Sequence, residues 1–253
     1  MVFYNGEFIA KRDAFISSGS RAFNYGDAFF ETVKIINSKP FNFSSHMERI
    51  KLSLSVLKLN NKYTSSFFEE KISHLLKVNE IINGSVKIHI SRHGIGRYLP
   101  ESNHTDVFIS VNNGHSYKQN DTISLCFYDK ECKAPGSLSN IKSANSLISV
   151  LASIYANENN FDNAILLNTS GYVIEVTNAN IFILKNDRIY TPPLADGCVD
   201  GTMRKWISNE LNVTENSILP DDLLDADEVF ITNSSDGIRS IKTIEGIAFS
   251  SFK

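Results

Sequence analysis

The sequence predicts an α/β (α+β) protein of two domains, and three observations support this prediction. Strand-like and helix-like apolar patterns alternate in both halves of the chain, as they do where helices pack on sheets. The length of 253 residues is sufficient for two separate cores. The polar stretch 112–121 is the best linker candidate. We therefore expect a small N-terminal α/β domain at 1–114 and a larger C-terminal domain at 115–253.

Strand patterns begin at the first residues of the N-terminal half. Asn5-Gly6 is the residue pair that best tolerates a type I′ turn, and it predicts a hairpin. The expected elements are this hairpin over 2–9, strands over 29–36, 86–92 and 107–111, and a loop that contains 93–100.

Two helices are predicted between these strands. Ser44 or Ser45 can cap the first, which extends to about Leu59 with apolar residues at helical spacing. Thr64 can cap the second, and Asn83-Gly84 would end it.

The C-terminal half combines helices with closely spaced strands. Apolar residues at helical spacing predict a helix over 145–157, and another helix is expected to begin near Gly201. The strands are expected at 122–128, 164–167, 172–176, 180–184 and 188–190, and near Val229 and Ile241.

Composition argues against several classes of function. The net charge is −3 and the basic residues are scattered, so no basic surface for nucleic acid is expected. Three cysteines without a CxxC pair are typical of a reducing compartment. The first residues lack signal-peptide features, and no apolar run is long enough to span a membrane. The six histidines show no HExxH spacing, so no metal site is expected. We therefore expect a cytoplasmic protein that binds neither nucleic acid nor membranes.

Two residues could carry covalent and acid–base chemistry. Lys142 precedes the predicted helix 145–157 beside apolar residues, which disfavour a charged amine and make it more nucleophilic toward carbonyls. Glu175 lies among apolar strand residues, where a buried carboxylate needs a partner such as a protonated ring nitrogen. When each residue is considered alone, the ordinary interpretation of Lys142 is a solvated lysine, and that of Glu175 is an exposed strand-end glutamate.

Two further features could bind phosphate. The segment Gly201-Thr202-Met203-Arg204 begins a predicted helix, and the first N–H groups of a helix form an anion site. Arg49, on the first predicted helix, could make a bidentate contact with phosphate. A nucleophilic lysine, an acid for a pyridine nitrogen, a helix N-terminus and an arginine together describe a site for pyridoxal 5′-phosphate.

Several ordered segments of the chain resemble one enzyme family. They are 23–33 (FNYGDAFFETV), 141–145, 171–182 with its EVTNANIF, TPP at 191–193, GTMR at 201–204 and DEVF at 227–230. In this order they resemble the class IV aminotransferases, the fold type IV family of pyridoxal-phosphate enzymes, which includes branched-chain and D-amino-acid aminotransferases and 4-amino-4-deoxychorismate lyases. The resemblance extends from about Val2 to Phe249. It implies a homodimer, an active site in the cleft between the domains, and one loop supplied by the partner subunit.

The resemblance also assigns cofactor roles. It implies that Lys142, in the larger predicted domain, forms a Schiff base with pyridoxal 5′-phosphate and moves the Cα proton. Glu175 would keep the pyridine nitrogen protonated. The other cofactor contacts are assigned to Arg49, the backbone N–H groups of Thr202 and Met203, Ser234 and Asn180.

The substrate residues are expected near the N-terminal strands. Tyr25 and Thr32 match family positions close to the substrate. The loop 91–98 contains Arg92, Arg97 and Tyr98, which can recognise a carboxylate, and it resembles the arginine-glycine loop of the lyases. A solvated loop with unrelated charges is the alternative interpretation.

Two positions depart from the family pattern. Many members have Gly-Ile-Thr-Arg where this chain has Gly-Thr-Met-Arg at 201–204, so the phosphate-binding threonine hydroxyl is shifted by one position or lost. Branched-chain enzymes commonly have Asn-Tyr after the lysine, whereas Asn145-Ser146 lacks that tyrosine. These differences bring the chain closer to the lyase and D-amino-acid branches.

The leading prediction is an enzyme that transfers an amino group from an amino acid to a 2-oxo acid. The close alternative is a 4-amino-4-deoxychorismate lyase, which releases pyruvate and 4-aminobenzoate for folate synthesis from the same site. A non-catalytic binding module with this fold would be expected to lose Lys142 or Glu175, and both are present. A metal hydrolase would need the histidine spacing that is missing.

Overall fold

The computed structural model describes residues 1–60, 62–117 and 122–250. Its contacts divide the chain into unit 1, which comprises Met1–Ser116 and Ile141–Asn145, and unit 2, which comprises Tyr117–Asn140 and Ser146–Lys253. Residues 118–121 of the predicted linker lie outside the described residues.

The short segment around Lys142 belongs to unit 1 by its contacts, whereas the domain prediction assigned this lysine to the C-terminal domain. The reason is backbone pairing with a strand that begins at Ala28. The Phe30 N–H donates to the carbonyl of Lys142 at 3.0 Å, and the Ala144 N–H donates to the carbonyl of Ala28 at 2.9 Å.

Unit 1 is an antiparallel sheet with helices on one face. Its strands are β1 (Val2–Tyr4), β2 (Glu7–Ile9), β3 (Ala28–Ile36), β4 (Lys39–Pro40), β5 (Gly84–Arg92) and β6 (Thr105–Asn113), paired in the order β2-β1-β6-β5-β3-β4. Its helices are α1 (Arg21–Tyr25), α2 (Phe43–Val56) and α3 (Ser65–Val78), with a short 3-10 helix at Lys11–Asp13.

Strand alternation gives the two faces of this sheet different characters. Along β3, Phe29, Val33 and Ile35 are buried in one core with Ile50 of α2 and Phe68 of α3. Because successive strand residues point to opposite faces, Phe30 and Thr32 lie on the other face, where they are half-buried.

The predicted hairpin at the N-terminus and the Thr64 cap are confirmed, since Thr64 Oγ1 accepts the Phe67 N–H at 3.2 Å. The predicted start of the first helix was wrong. α2 begins at Phe43, and Ser45 bonds through its hydroxyl to the Asn42 side chain at 2.8 Å instead of capping the helix.

The predicted end of the second helix was also wrong. α3 ends at Val78 rather than at residues 83–84, and β5 begins at Gly84. The Asn79 amide donates to the carbonyl of Leu75 at 2.8 Å, and Glu80 then adopts a φ of 54°, which a helix cannot continue.

Unit 2 contains a mixed sheet. Its strands are β7 (Thr122–Lys133), β8 (Asn163–Asn168), β9 (Val173–Val176), β10 (Asn180–Lys185), β11 (Arg188–Thr191), β12 (Val213–Glu215), β13 (Glu228–Asn233), β14 (Gly237–Ile244) and β15 (Ile247–Ala248). Their order is β12-β11-β10-β13-β14-β7-β8-β9, with β15 beside β14, and the β11–β12, β14–β7 and β7–β8 pairs are parallel.

The helices of unit 2 are α4 (Ser137–Asn140), α5 (Leu147–Glu158), α6 (Thr202–Glu210) and α7 (Pro220–Leu224), with a 3-10 helix at Leu194–Asp196. α5 packs through Ala152 and Ala156 in a core with Leu166 and Ile174. α6 packs through Ile207 against the stacked rings of Phe182 and Phe230, whose centroids are 4.9 Å apart. The second packing holds α6 against β10 and β13.

Among the described residues, no helix is long and apolar enough to cross a membrane.

Candidate active site

Glu175 is buried on β9, where both of its carboxylate oxygens have donors. Lys133, at the end of β7, donates its ammonium to Oε1 at 2.7 Å, and the Val199 N–H donates to Oε2 at 2.9 Å. Lys133 also donates to the carbonyl of Ser139 at 3.1 Å. A buried carboxylate is costly without such partners. These contacts hold Glu175 in one orientation.

The loop before α6 is held by a second buried side chain. Asn180, the first residue of β10, donates its amide to the carbonyl of Val199 at 2.8 Å. A Cβ atom at Gly201 would lie 1.9 Å from Asn180 Oδ1, so only glycine fits at the residue that precedes α6. Asn180 therefore holds the carbonyl of Val199, and Glu175 holds its N–H group.

The first turn of α6 brings together two hydroxyl groups. Thr202 Oγ1 and Ser234 Oγ are 2.8 Å apart, and Thr202 and Met203 are the first two residues of the helix. The first N–H groups of a helix have no partner within the helix, and they carry its positive dipole end. Two hydroxyls beside this helix end form an arrangement that suits a phosphate group.

The turn that carries Ser234 is well supported. The side chain of Asn233 accepts the N–H groups of Ser235 and Asp236 at 2.9 and 2.7 Å. Tyr117 donates its hydroxyl to the carbonyl of Ser234 at 3.1 Å. Burial, followed by the nearby charge of Asp236, raises the pKa of Tyr117 to about 12, so this phenol stays a neutral donor.

In unit 1, Lys142 lies beside an aromatic ring on the half-buried face of the sheet. Its Nζ is 4.7 Å from the centre of the Phe30 ring, and Nζ of Lys87 is at the same distance from that ring. The His89 ring stacks near Phe30 with centroids 5.7 Å apart. Burial, followed by the charge of Lys87, lowers the pKa of His89 to about 4, so its imidazole is neutral at pH 7.

Arg49 is held by a buried ion pair on the other face of β3. Its Nε and one terminal nitrogen donate to the two oxygens of Glu31, each at 2.7 Å. His46, one turn earlier on α2, contacts the same carboxylate at 2.6 Å. Burial alone would raise the pKa of Glu31, but the charge and hydrogen bonds of Arg49 and His46 outweigh it and lower this pKa to about 2.

Replacing Glu31 with glutamine is expected to destabilise the protein by about 3 kcal/mol at pH 7, because a pKa lowered from 4.5 to about 2 stores that much free energy. This stabilisation is complete above pH 4.5 and is lost as the pH falls toward 2. Urea unfolding followed between pH 7 and pH 2 measures it, and the variant should lose this part of the acid dependence. Glu70→Gln, at an exposed pair with Lys71, is the control. Equal stability of the Glu31 and Glu70 variants would contradict the account.

Three of the predicted substrate residues, Tyr25, Arg97 and Tyr98, lie at the loop 93–104 between β5 and β6, which we call the substrate loop for its predicted role. Tyr25 donates its hydroxyl to the carbonyl of Gly96 at 3.1 Å, and its ring lies 5.6 Å from that of Tyr98. Arg97 and Tyr98 expose their side chains. Thr32 lies apart from them on β3, opposite Lys87 of β5. The Arg92 side chain is buried and donates to Asp27, to the Asn103 side chain and to the carbonyl of Leu57.

Several residues of these clusters were not predicted. Glu31 and Phe30 stand inside the family segment 23–33, but their neighbours come from distant parts of the chain. The strand alternation of 86–92 could have placed Lys87 and His89 on one face. We find no local signal for Lys133, which meets Glu175 from 42 positions away.

The fold and these clusters define a class of enzyme that uses pyridoxal 5′-phosphate. A buried carboxylate suits a pyridine nitrogen, and the α6 N-terminus with its two hydroxyls suits a phosphate. Lys142 supplies an amine in a partly apolar environment. The groups present in each unit therefore fit this cofactor.

Comparison with known proteins agrees with this class. The family model for amino-transferase class IV matches residues 28–244. A D-alanine aminotransferase of Staphylococcus haemolyticus is 29% identical over 97% of this chain and 89% of its own length. An aminodeoxychorismate lyase of Vibrio harveyi is 29% identical over 89% of this chain and 86% of its own length. The crystal structure of a putative 4-amino-4-deoxychorismate lyase from Legionella pneumophila has a TM-score of 0.88 with 27% identity, covering 96% of this chain and 92% of the other.

The chain belongs to the class IV aminotransferase family, since the family model matches most of its length. It is therefore an enzyme of the pyridoxal-phosphate-dependent group that contains the aminotransferases and the aminodeoxychorismate lyases, with the two-sheet α/β fold of fold type IV.

Proposed function

We propose that this enzyme transfers an amino group from an amino acid to a 2-oxo acid. The observation that carries the proposal is the family match over residues 28–244, within which both Lys142 and Glu175 are present. We further propose that Lys142, Glu175 and the predicted phosphate residues bind pyridoxal 5′-phosphate.

In this proposal each residue has a defined task. Pyridoxal 5′-phosphate, when bound, supplies an electron sink for negative charge at the substrate Cα. Lys142 binds the cofactor aldehyde through Nζ and later carries the proton at the substrate Cα. Glu175 holds the proton on the pyridine nitrogen, while Lys133 and Val199 keep its carboxylate in place.

The phosphate and the substrate are assigned to the remaining residues. The Thr202 and Met203 N–H groups and the Ser234 hydroxyl bind phosphate, together with Arg49, whose guanidinium Glu31 orients. Asn180 supports this part of the site through Val199. Substrate contacts are assigned to Tyr25 at the end of α1, to Thr32 on β3, and to Arg97 and Tyr98 of the substrate loop.

The proposal is tested with purified enzyme and pyridoxal 5′-phosphate. D-alanine and branched-chain L-amino acids are added singly, and pyridoxamine 5′-phosphate and free oxo acid are quantified. Stoichiometric formation of both from one amino acid supports amino transfer and identifies the donor. Their absence with every amino acid, while the cofactor stays bound, would contradict it.

The second candidate is the lyase, and the substrate loop favours it. Residues 91–98 resemble the arginine-glycine loop of the lyases, and two of the compared proteins bear lyase names. The same preparation is therefore given 4-amino-4-deoxychorismate. Release of pyruvate and 4-aminobenzoate over many turnovers, without pyridoxamine 5′-phosphate, would establish the lyase instead.

We also propose a homodimer, as the family resemblance implies. An exposed apolar stripe on α5 supports it: Leu147, Val150, Leu151 and Ile154 recur at helical spacing with 46–76% of each exposed. A second copy of this chain would cover such a stripe.

Replacing both Val150 and Leu151 with glutamate is expected to convert the dimer into a monomer, because four charges would be buried in the interface. Sedimentation velocity of the wild type and the variant measures this change. Asn209→Glu, at an exposed position of α6, should leave the dimer intact. A monomeric wild type would refute the proposal, as would a double variant that remains dimeric.

A further inference from the structure

The substrate loop is attached to the rest of unit 1 by two buried arginines that share one carboxylate. Asp27 Oδ2 accepts a hydrogen bond from Arg21 Nε and another from Arg92 Nε, both at 2.8 Å. The side chains of the three residues are 14%, 4% and 9% exposed, respectively. Ion pairs of this burial are much less screened by salt than surface pairs.

Arg92 fixes the base of the loop. Its terminal nitrogens donate to the Asn103 side chain and to the carbonyl of Leu57, the latter at 2.6 Å. Its own N–H donates to the carbonyl of Asp27 at 3.1 Å. The Arg92 guanidinium therefore links the two ends of the loop, at Arg92 and Asn103, to Asp27 and to Leu57 at the end of α2.

Arg21 fixes the tip of the loop. Its terminal nitrogens donate to the carbonyls of Arg97 and Tyr98. These two carbonyls are held, whereas the side chains of Arg97 and Tyr98 are exposed, Tyr98 by 88%. Arg21 also lies over the Tyr25 ring at 5.2 Å. One cluster thus sets the backbone that presents three proposed substrate residues.

We propose that Asp27, Arg21 and Arg92 are positioning residues that fix the substrate loop, and that Arg92 acts through this loop rather than by touching substrate. The inference rests on the proposed function for the role of Arg97 and Tyr98. Without the Asp27 charge, two buried guanidinium groups face each other without their shared counter-ion, so the loop detaches from α1.

The test compares Asp27→Asn with the wild type in two measurements. Trypsin cleavage after Arg97, followed by mass spectrometry, should become at least about fivefold faster, because cleavage requires local opening of the loop. In the reaction found for the wild-type enzyme, KM should rise about tenfold or more while kcat changes less than about twofold, which indicates lost substrate binding. Asp27→Glu keeps the charge, so its cleavage rate and its KM should lie closer to the wild-type values than those of Asp27→Asn.

Asp13→Asn is the matched control, because Asp13 forms an exposed pair with Arg12. It should change neither measurement. If Asp27→Asn does not fold, Arg21→Lys replaces it, since an ammonium keeps the charge but cannot reach the carboxylate and both carbonyls together.

An unchanged cleavage rate in Asp27→Asn would overturn the proposal. Faster cleavage with an unchanged KM would also overturn it, since the loop would then not position substrate. Trypsin cleavage needs no substrate, so failure of the proposed function appears separately, as a wild type that converts none of the tested compounds.

Discussion

Lys142→Ala is expected to reduce turnover about 1,000-fold or more, because it removes the residue that we propose binds the cofactor aldehyde and moves the Cα proton. The variant should still bind pyridoxal 5′-phosphate weakly through the phosphate contacts, but sodium borohydride should no longer fix the cofactor to the protein. Turnover assays and mass spectrometry of the intact, reduced protein measure both effects.

The matched control is Lys51→Ala, which removes an exposed lysine from α2. It should behave as the wild type in both measurements. A Lys142→Ala variant that retains full turnover would remove this residue from the mechanism.

Glu175→Gln is expected to slow Cα proton abstraction by about 100-fold or more, because a neutral amide cannot keep the pyridine nitrogen protonated. Glutamine has nearly the same size and keeps an oxygen that can accept from Lys133 or Val199, so cofactor content should change little. Loss of deuterium from the Cα of a labelled substrate follows the proton step directly.

Glu210→Gln, at the exposed end of α6, serves as the control for this second change. It should exchange deuterium at the wild-type rate. An equal rate in the Glu175 variant would show that the carboxylate takes no part in proton abstraction.

Local sequence signals predicted the elements that depend on local contacts. The Asn5-Gly6 turn and the Thr64 cap each involve neighbouring residues, and both are present in the structure. The end of α3 was misplaced because Asn79 ends the helix before the stronger glycine signal is reached. The short elements α1, α4, α7, β4, β12 and β15 were not predicted, since they contain only two to five residues each.

The position of Lys142 in unit 1 could not be predicted from the order of the elements along the chain. The segment 141–145 lies well inside the C-terminal half of the sequence, yet it pairs with β3 more than 110 positions earlier. Apolar periodicity reports which face of an element is buried, but it does not report its partner strand. The domain boundary predicted near residue 114 therefore could not show that the segment 141–145 returns to unit 1.

The candidate site residues were proposed from residue types and resemblance, whereas their contacts could not be predicted. Glu31 and Arg49 are 18 positions apart, and Lys133 and Glu175 are 42 apart. Arg92 was expected to contact substrate because an arginine on a glycine-rich loop suits a carboxylate. Its pairing with Asp27, 65 positions away, depends on tertiary structure that spacing does not contain.

The most direct test is to reduce the wild-type enzyme with sodium borohydride in the presence of pyridoxal 5′-phosphate and to map the phosphopyridoxyl group by peptide mass spectrometry. The account predicts one modified residue, Lys142, in near-stoichiometric amount. Modification of another lysine such as Lys87, or no modification of Lys142, would contradict the assignment of this lysine to the cofactor.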